Sequence, residues 1–349
     1  MPIHGWLARA LSLSIFLGLL TTCAQAQAPA ALVPLQRYGW DDPAGPAGRT
    51  TAAQRRLDGG MLSTVVDLAE DRDGVLYVLD RDGCKVVAFD RNGNVIRIIG
   101  NGKGQGPGEF ARPNSLTLSD AGELFVLDPG QSRVSVFGTD GVLKRTFPVA
   151  GSFGFQIRAT SDRLYISQYV FRGGAPVVLV YDFKGTLIEK IFTPSEEDVA
   201  FGRTGNTYRM AVTRDGQIAL AHPNPGTWTL LSAPTREKGH ALIGDNVVQA
   251  PTDPNGAWSA PAALRGFAPL GDGRALILYD RVKPQPAIAP GVRAVNIYLA
   301  TVPADGGKTG AIDVGEVGRN LLVSRDGRSF YLTVADPTYQ VVRYRLPKP

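Results

Sequence analysis

Apolar and polar residues alternate along most of the chain in short runs. The runs are four to six residues long and are separated by turns that contain glycine. This two-residue period predicts strands, and the short runs leave little room for helices. Two stretches repeat the pattern closely: Asp67–Gly100 (DLAEDRDGVLYVLDRDGCKVVAFDRNGNVIRIIG) and Ser115–Phe147 (SLTLSDAGELFVLDPGQSRVSVFGTDGVLKRTF). Each reads as four strands. A first strand ends at Asp73-Gly74 or Ala121-Gly122, then LYVLD or LFVLD follows, then KVVAFD or RVSVFG. A last turn, Asn92-Gly93 or Asp140-Gly141, leads to the fourth strand. Asp-Gly and Asn-Gly pairs supply the positive φ that tight hairpins need. A four-stranded antiparallel meander recurring every 40–55 residues is a propeller blade.

Weaker copies continue to the C-terminus. They run from Phe155 through LYISQY, from Arg209 through IALAH, from Phe267 through ALILYD, and from Leu321 through FYLTV to VVRYRL. The sixth copy lacks a fourth strand, and residues 33–39 supply one to spare. The predicted fold is therefore all-β: a six-bladed β-propeller of four-stranded antiparallel blades, closed by an N-terminal strand that pairs near Gln340–Leu346. Closure of this kind leaves no open edge at the seam.

Residues 1–26 have the three parts of an export signal: Arg9, an apolar run over 10–20, and Ala24-Gln25-Ala26 before the cleavage point. The expected organisation is a signal peptide over 1–26 and one propeller domain over 27–349, placed in the periplasm or secreted. Leu20-Thr21-Thr22-Cys23 resembles a bacterial lipobox, so lipidation at Cys23 is the alternative. The apolar run is too short to span a bilayer, and no transmembrane segment is expected. Cleavage would leave Cys84 as the sole cysteine, so the fold must rest on its core rather than on disulfides. With 44% hydrophobic residues that core is attainable. A formal net charge of +5, spread along the chain, gives no reason to expect nucleic acid.

GNGKGQGPGEF at 100–110, then Pro113, GELFVLD and SRVSVF, resemble the NHL repeat of TolB-like six-bladed β-propellers. The resemblance is specific over residues 67–147 and loose elsewhere. It implies blades around a central channel with ligands bound at one mouth, but not one activity. It also implies that Asp80 and Asp128, at the ends of second strands, pair within their blades with Lys85 or Arg133 and fix the hairpins. The glycines at 100–108 contain GxGxxG-like spacing, but prolines bracket them and a strand follows, so the reading is an inter-blade connection.

Candidate chemistry is sparse. Only His222 and His240 would remain after export, there is no GxSxG, and no zinc spacing occurs. Arg112-Pro113-Asn114-Ser115-Leu116 resembles the R-P-N-G-L segment of gluconolactonase-like (SMP-30-like) propellers. That resemblance implies a metal held by Asn114 with a carboxylate such as Asp67, and a lactonase or lyase activity as the alternative function. The later blades carry Gln156, Arg209, Arg265 and Arg319 near this position, and cations there disfavour a divalent metal. No cofactor and no metal are expected. Three stretches, 193–207, 251–264 and 283–292, break the repeat as long loops, with Trp258 a candidate contact.

Aligning the blades on their Asp-Gly turns puts Arg209, Arg265 and Arg319 at or just before the start of the channel-lining strand. Asp67 and Asn114 fall at the same level on other blades. The expected function is a binding or scaffold module, acting as a monomer, that takes a protein or small anionic ligand at the channel mouth through these five residues. The competing expectation is that the arginines pair with local acids such as Glu316 and Asp272, or point into solvent.

Overall fold

The computed structural model describes residues 32–39, 62–151, 154–169, 177–192, 208–221, 227–231, 238–241, 262–270, 272, 274–282, 295–302, 311–315, 320–334 and 339–346. Every regular element among them is a strand. The closing strand is β1 (Pro34–Tyr38). Blade 1 is β2 (Val65–Glu70), β3 (Leu76–Asp80), β4 (Lys85–Phe89) and β5 (Val95–Ile99). Blade 2 is β6 (Ser115–Leu118), β7 (Glu123–Asp128), β8 (Arg133–Gly138) and β9 (Leu143–Pro148). Blade 3 is β10 (Gly154–Ala159), β11 (Leu164–Gln168), β12 (Val178–Tyr181) and β13 (Leu187–Ile191). Blade 4 is β14 (Arg209–Val212), β15 (Ile218–Ala221), β16 (Thr227–Leu230) and β17 (Lys238–Ala241). Blade 5 is β18 (Ala262–Pro269), β19 (Ala275–Val282), β20 (Val295–Val302) and β21 (Ala311–Gly315). Blade 6 is β22 (Leu321–Val323), β23 (Ser329–Val334) and β24 (Gln340–Arg345).

Each sheet is four-stranded and antiparallel, and the last is completed by β1 against β24. The first strands touch in order, β2 to β6 to β10 to β14 to β18 to β22 and back to β2, so they form the channel wall. The expected six-bladed closed ring is the observed fold. One boundary moves: β18 begins at Ala262, so the last three residues of the predicted 251–264 loop are strand. The rest of that loop with Trp258, the loops 193–207 and 283–292, Arg319, and Cys23 with residues 1–26 lie outside the described residues.

Burial explains the sequence pattern strand by strand. Second strands are covered on both faces by neighbouring blades, so β3 (LYVLD) is buried throughout. Outer strands face solvent on one side and alternate, as in β9 (LKRTFP). The core sits between blades: Tyr77, Leu79 and Val86 of blade 1 pack with Leu116, Val126 and Phe137 of blade 2. Hairpins are set by aspartates. Asp90 Oδ1 accepts from the amides of Asn92 and Asn94, and Gly93 takes φ +83° between them.

The glycine-rich segment at 100–110 is an inter-blade connection with no helix. Gly100 has φ +103°, and a Cβ there would lie 2.5 Å from the ring of Phe110, which is itself fully buried against Phe137. Asp80 accepts from the amides of Ser63, Thr64 and Gly83. Asp128 does the same for Ala111, Arg112 and Gly130. Both carboxylates are fully buried and tie the incoming connection to its blade. Lys85 lies 3.9 Å from Asp80 as expected, but Arg133 does not pair with Asp128. Its guanidinium donates instead to the carbonyls of Gln105, Gly106 and Glu109. The turn amides and Gln131 already fill the Asp128 oxygens, and the curled glycine loop presents open carbonyls beside Arg133.

Candidate functional site

Strand registers place one polar residue per blade at the same level of the channel wall. Asp67, Ser115, Gln156 and Arg209 pair with Leu79, Leu127, Ser167 and Ala221, the same place in each second strand. Asn320 holds that place in blade 6, with its amide donating to Thr333 Oγ1. In blade 5 the register shifts, and Arg265 occupies the bulge between Leu264 and Gly266, exposed to solvent.

These side chains reach to the next first strand around the ring. Asp67 accepts from the Leu116 amide (3.1 Å), and Ser115 Oγ accepts from the Ile157 amide (3.0 Å). Gln156 Oε1 accepts from the Met210 amide (2.8 Å), and Arg209 Nε donates to the Leu264 carbonyl (3.4 Å). Asn320 Nδ2 donates to the Val65 carbonyl (3.0 Å), which joins blade 6 to blade 1. Asn114, one residue before Ser115, donates from Nδ2 to the Phe155 carbonyl (2.8 Å).

A cavity of about 150 Å³ opens at this level, and Asp67, Asn114, Arg209 and Arg265 all line it. Four of the five expected site residues therefore line one cavity, and the fifth, Arg319, lies outside the described residues. Of the competing expectation, Asp272 is held by Arg274 at 2.6 Å, whereas Arg265 is exposed to solvent as that expectation allowed. Glu316 lies outside the described residues.

Sequence reasoning missed three contributors. Arg158, two residues beyond Gln156 and so on the same face of β10, makes a bidentate pair with Asp67 at 2.8 and 3.2 Å. Ser115 Oγ donates to the same carboxylate. Arg81, following the second strand of blade 1, also lines the cavity and pairs through Nε with Asp82. The period-two rule could have found Arg158. Nothing local marks Arg81.

Arg209 is the most unusual group of the mouth. Its guanidinium carbon sits 4.7 Å from the centre of the Phe155 ring, which contacts Tyr169 edge-on at 4.9 Å. Its terminal nitrogens have no hydrogen-bond partner among the described residues. Burial, and then the neighbouring Arg265 charge, push its pKa down from the usual arginine value to about 10. It remains a cation at neutral pH. Burial likewise raises the Tyr169 phenol, against the pull of Arg209, Arg112 and Arg81, so that group is neutral.

A divalent cation does not fit this donor set. Asp67 is the acidic lining residue, and its oxygens are taken by Arg158, Ser115 and two backbone amides. The neighbouring groups at the level are guanidiniums and amides. Cys84, the described cysteine, is buried below the surface, and burial pushes its thiol pKa up, which makes it a poor nucleophile.

Comparison with known proteins agrees with the fold. A family model described as a 6-bladed beta-propeller matches residues 61–173. NHL repeat-containing protein 3 of Homo sapiens is 29% identical over 108 residues, which cover 29% of this chain and 30% of that relative. Among solved structures, a member of the DUF4221 family from Bacteroides vulgatus superposes with a TM-score of 0.62 at 11% identity, over 90% of this chain and 97% of its own. Virginiamycin B lyase from Staphylococcus aureus superposes at 0.52 and 7% identity, over 82% and 96%. Hydrazine synthase from Kuenenia stuttgartiensis does so at 0.52 and 14% identity, over 84% and 77%. At these identities the likeness is one of fold. The chain is a six-bladed β-propeller with NHL-like repeats in its first blades.

Proposed function

We propose that the protein is an exported binding module that captures an anion at the channel mouth through Arg209 and Arg265. One observation carries this reading: among the described residues the terminal nitrogens of Arg209 have no hydrogen-bond partner and lie near a second guanidinium, in a cavity whose lining acid is already neutralised by Arg158. Two guanidiniums brought close together repel, and an anion between them relieves that repulsion. A guanidinium fork offers two parallel N–H donors, which suits a carboxylate or phosphate. The cavity volume suits a small anion, or one acidic group presented by a protein partner. Asn114 and the Asp67–Arg158 pair border the same space and fix its shape.

The test compares the wild type with an Arg209→Ala/Arg265→Ala variant in low-salt buffer. Acetate, citrate and inorganic phosphate are screened by thermal shift. At a hundredfold excess over Kd, one anion should raise the wild-type melting temperature by about 4 °C or more. The variant should show less than a quarter of that rise. No shift with any anion in the wild type, or an equal shift in both proteins, sinks the reading.

Export rests on the pattern of residues 1–26. Intact mass of the protein from its native host should correspond to a chain beginning at Gln27. A diacylglycerol on Cys23 would replace that assignment with a lipoprotein.

A further inference from the structure

The hydrogen bonds around the ring also fix which side-chain atoms are used and which are left over. A carbonyl oxygen only accepts, so the bonds to the Phe155 and Val65 carbonyls must come from the amide nitrogens of Asn114 and Asn320. Each Oδ1 is therefore turned the other way, and neither has a partner among the described residues. The converse holds for Gln156. Its Oε1 accepts the Met210 N–H, so Nε2, two donors, is left for the cavity. These three amides are thus oriented by chemistry rather than by assignment.

Their positions sort by blade. Gln156, Arg209 and Arg265 stand on blades 3, 4 and 5, and all three are donors. Asn114 and Asn320 stand on blades 2 and 6, with their acceptor oxygens flanking blade 1. In a six-bladed ring, blades three apart face each other, so a donor arc faces two acceptors across the channel. An inorganic anion satisfies only the donor arc. A ligand that satisfies both sides is an anion whose far end carries hydrogen-bond donors. Those donors are not ammonium groups, because Arg81, Arg158, Arg209 and Arg265 all line the same space. A cavity of about 150 Å³ encloses roughly six non-hydrogen atoms, and its open side lets a longer ligand extend outward.

Building on the anion-binding reading, we infer that the ligand class is a small hydroxylated carboxylate. Its carboxylate lies on Arg209, Arg265 and Gln156 Nε2, and its hydroxyls donate to Asn114 Oδ1 and Asn320 Oδ1.

Isothermal titration of the full mature chain with four probes tests this: gluconate, hexanoate, sorbitol and inorganic phosphate. Gluconate and hexanoate share charge and carbon count and differ in hydroxyls. Two hydroxyl hydrogen bonds should make gluconate about thirtyfold tighter than hexanoate. Sorbitol, uncharged, should give no measurable heat. The Asn114→Ala/Asn320→Ala variant should bring gluconate to within about threefold of hexanoate, with hexanoate unchanged. Gln156→Glu keeps the bond to the Met210 amide but turns the exposed donor into an anionic acceptor. It should weaken both acids at least tenfold while its melting temperature stays within about 2 °C of wild type. Equal binding of hexanoate and gluconate, or phosphate binding tightest, overturns the hydroxylated-carboxylate inference and leaves anion capture standing. No binding by any charged probe overturns both. Should the double Asn variant fail to fold, the wild-type ratio of gluconate to hexanoate decides alone.

Discussion

Replacing Tyr38 by alanine is expected to lower the stability of the whole propeller by about 3–5 kcal/mol, the range for removing a large buried ring. Tyr38 ends the closing strand and is 1% exposed. Its ring meets Phe89 edge-on at 5.8 Å and Tyr331 at 5.9 Å, so it joins blade 1 to blade 6. Leu62, Val65, Leu76 and Val341 complete the same cluster. Leu35 lies on the same strand but is 44% exposed, and Leu35→Ala should cost less than about 0.5 kcal/mol. Denaturant titration at equilibrium measures both. Deleting residues 27–39 should destabilise at least as much as Tyr38→Ala, because the β24 edge then loses its ladder partner as well. Similar small losses for Tyr38→Ala and Leu35→Ala would mean that the ring does not depend on this closure.

That closure was legible because strand counting needs only period two and turn chemistry. VVRYRL had no successor, and LQRYG had no predecessor. Blades 1 and 2 were equally plain, since their LYVLD and LFVLD strands are buried on both faces and every position carries the signal. The site was legible only as far as alignment reaches. Counting back from Asp-Gly turns picked Arg209, Arg265, Asn114 and Asp67, which line one cavity, although Arg265 lies inside β18 rather than at its start. It could not foresee the bulge that carries Arg265, because bulges add a residue without altering the hydrophobic pattern. Nor could it show which side-chain atoms the neighbouring blade consumes. Asn114 looked like a ligand-binding side chain, yet half of its amide stitches blade 2 to blade 3. Arg133 and Lys85 looked equivalent from their place after the second strand. The glycine loop 100–110, present before blade 2, redirects Arg133 to carbonyls.

Asp67 separates the structural from the binding use of the ring most sharply. Its carboxylate is 6% exposed as a residue, and it is shared among three blades: its own, the Ser115–Leu116 segment of blade 2 and Arg158 of blade 3. Removing it strands the charge of Arg158, whose side chain is only 17% exposed. Breaking one side of a buried pair is more damaging than removing both, so Asp67→Ala is expected to cost about 3–5 kcal/mol. Arg158 also donates to the Ile157 carbonyl at 2.8 Å and the Met210 carbonyl at 3.3 Å, so its own removal leaves acceptors unfilled. The Asp67→Ala/Arg158→Met variant should nevertheless lose at least about 1 kcal/mol less than the sum of the two single changes, the sign of direct coupling. Urea titration of the three variants gives that cycle. A loss below about 1 kcal/mol for Asp67→Ala would show that the pair does not hold the blades. If that stable variant had also lost anion binding, Asp67 would be a binding residue and Arg158 would be released into the mouth as a further cation. A large loss with strong coupling instead assigns Asp67 to the frame, and leaves capture of the anion to the arginines beside it.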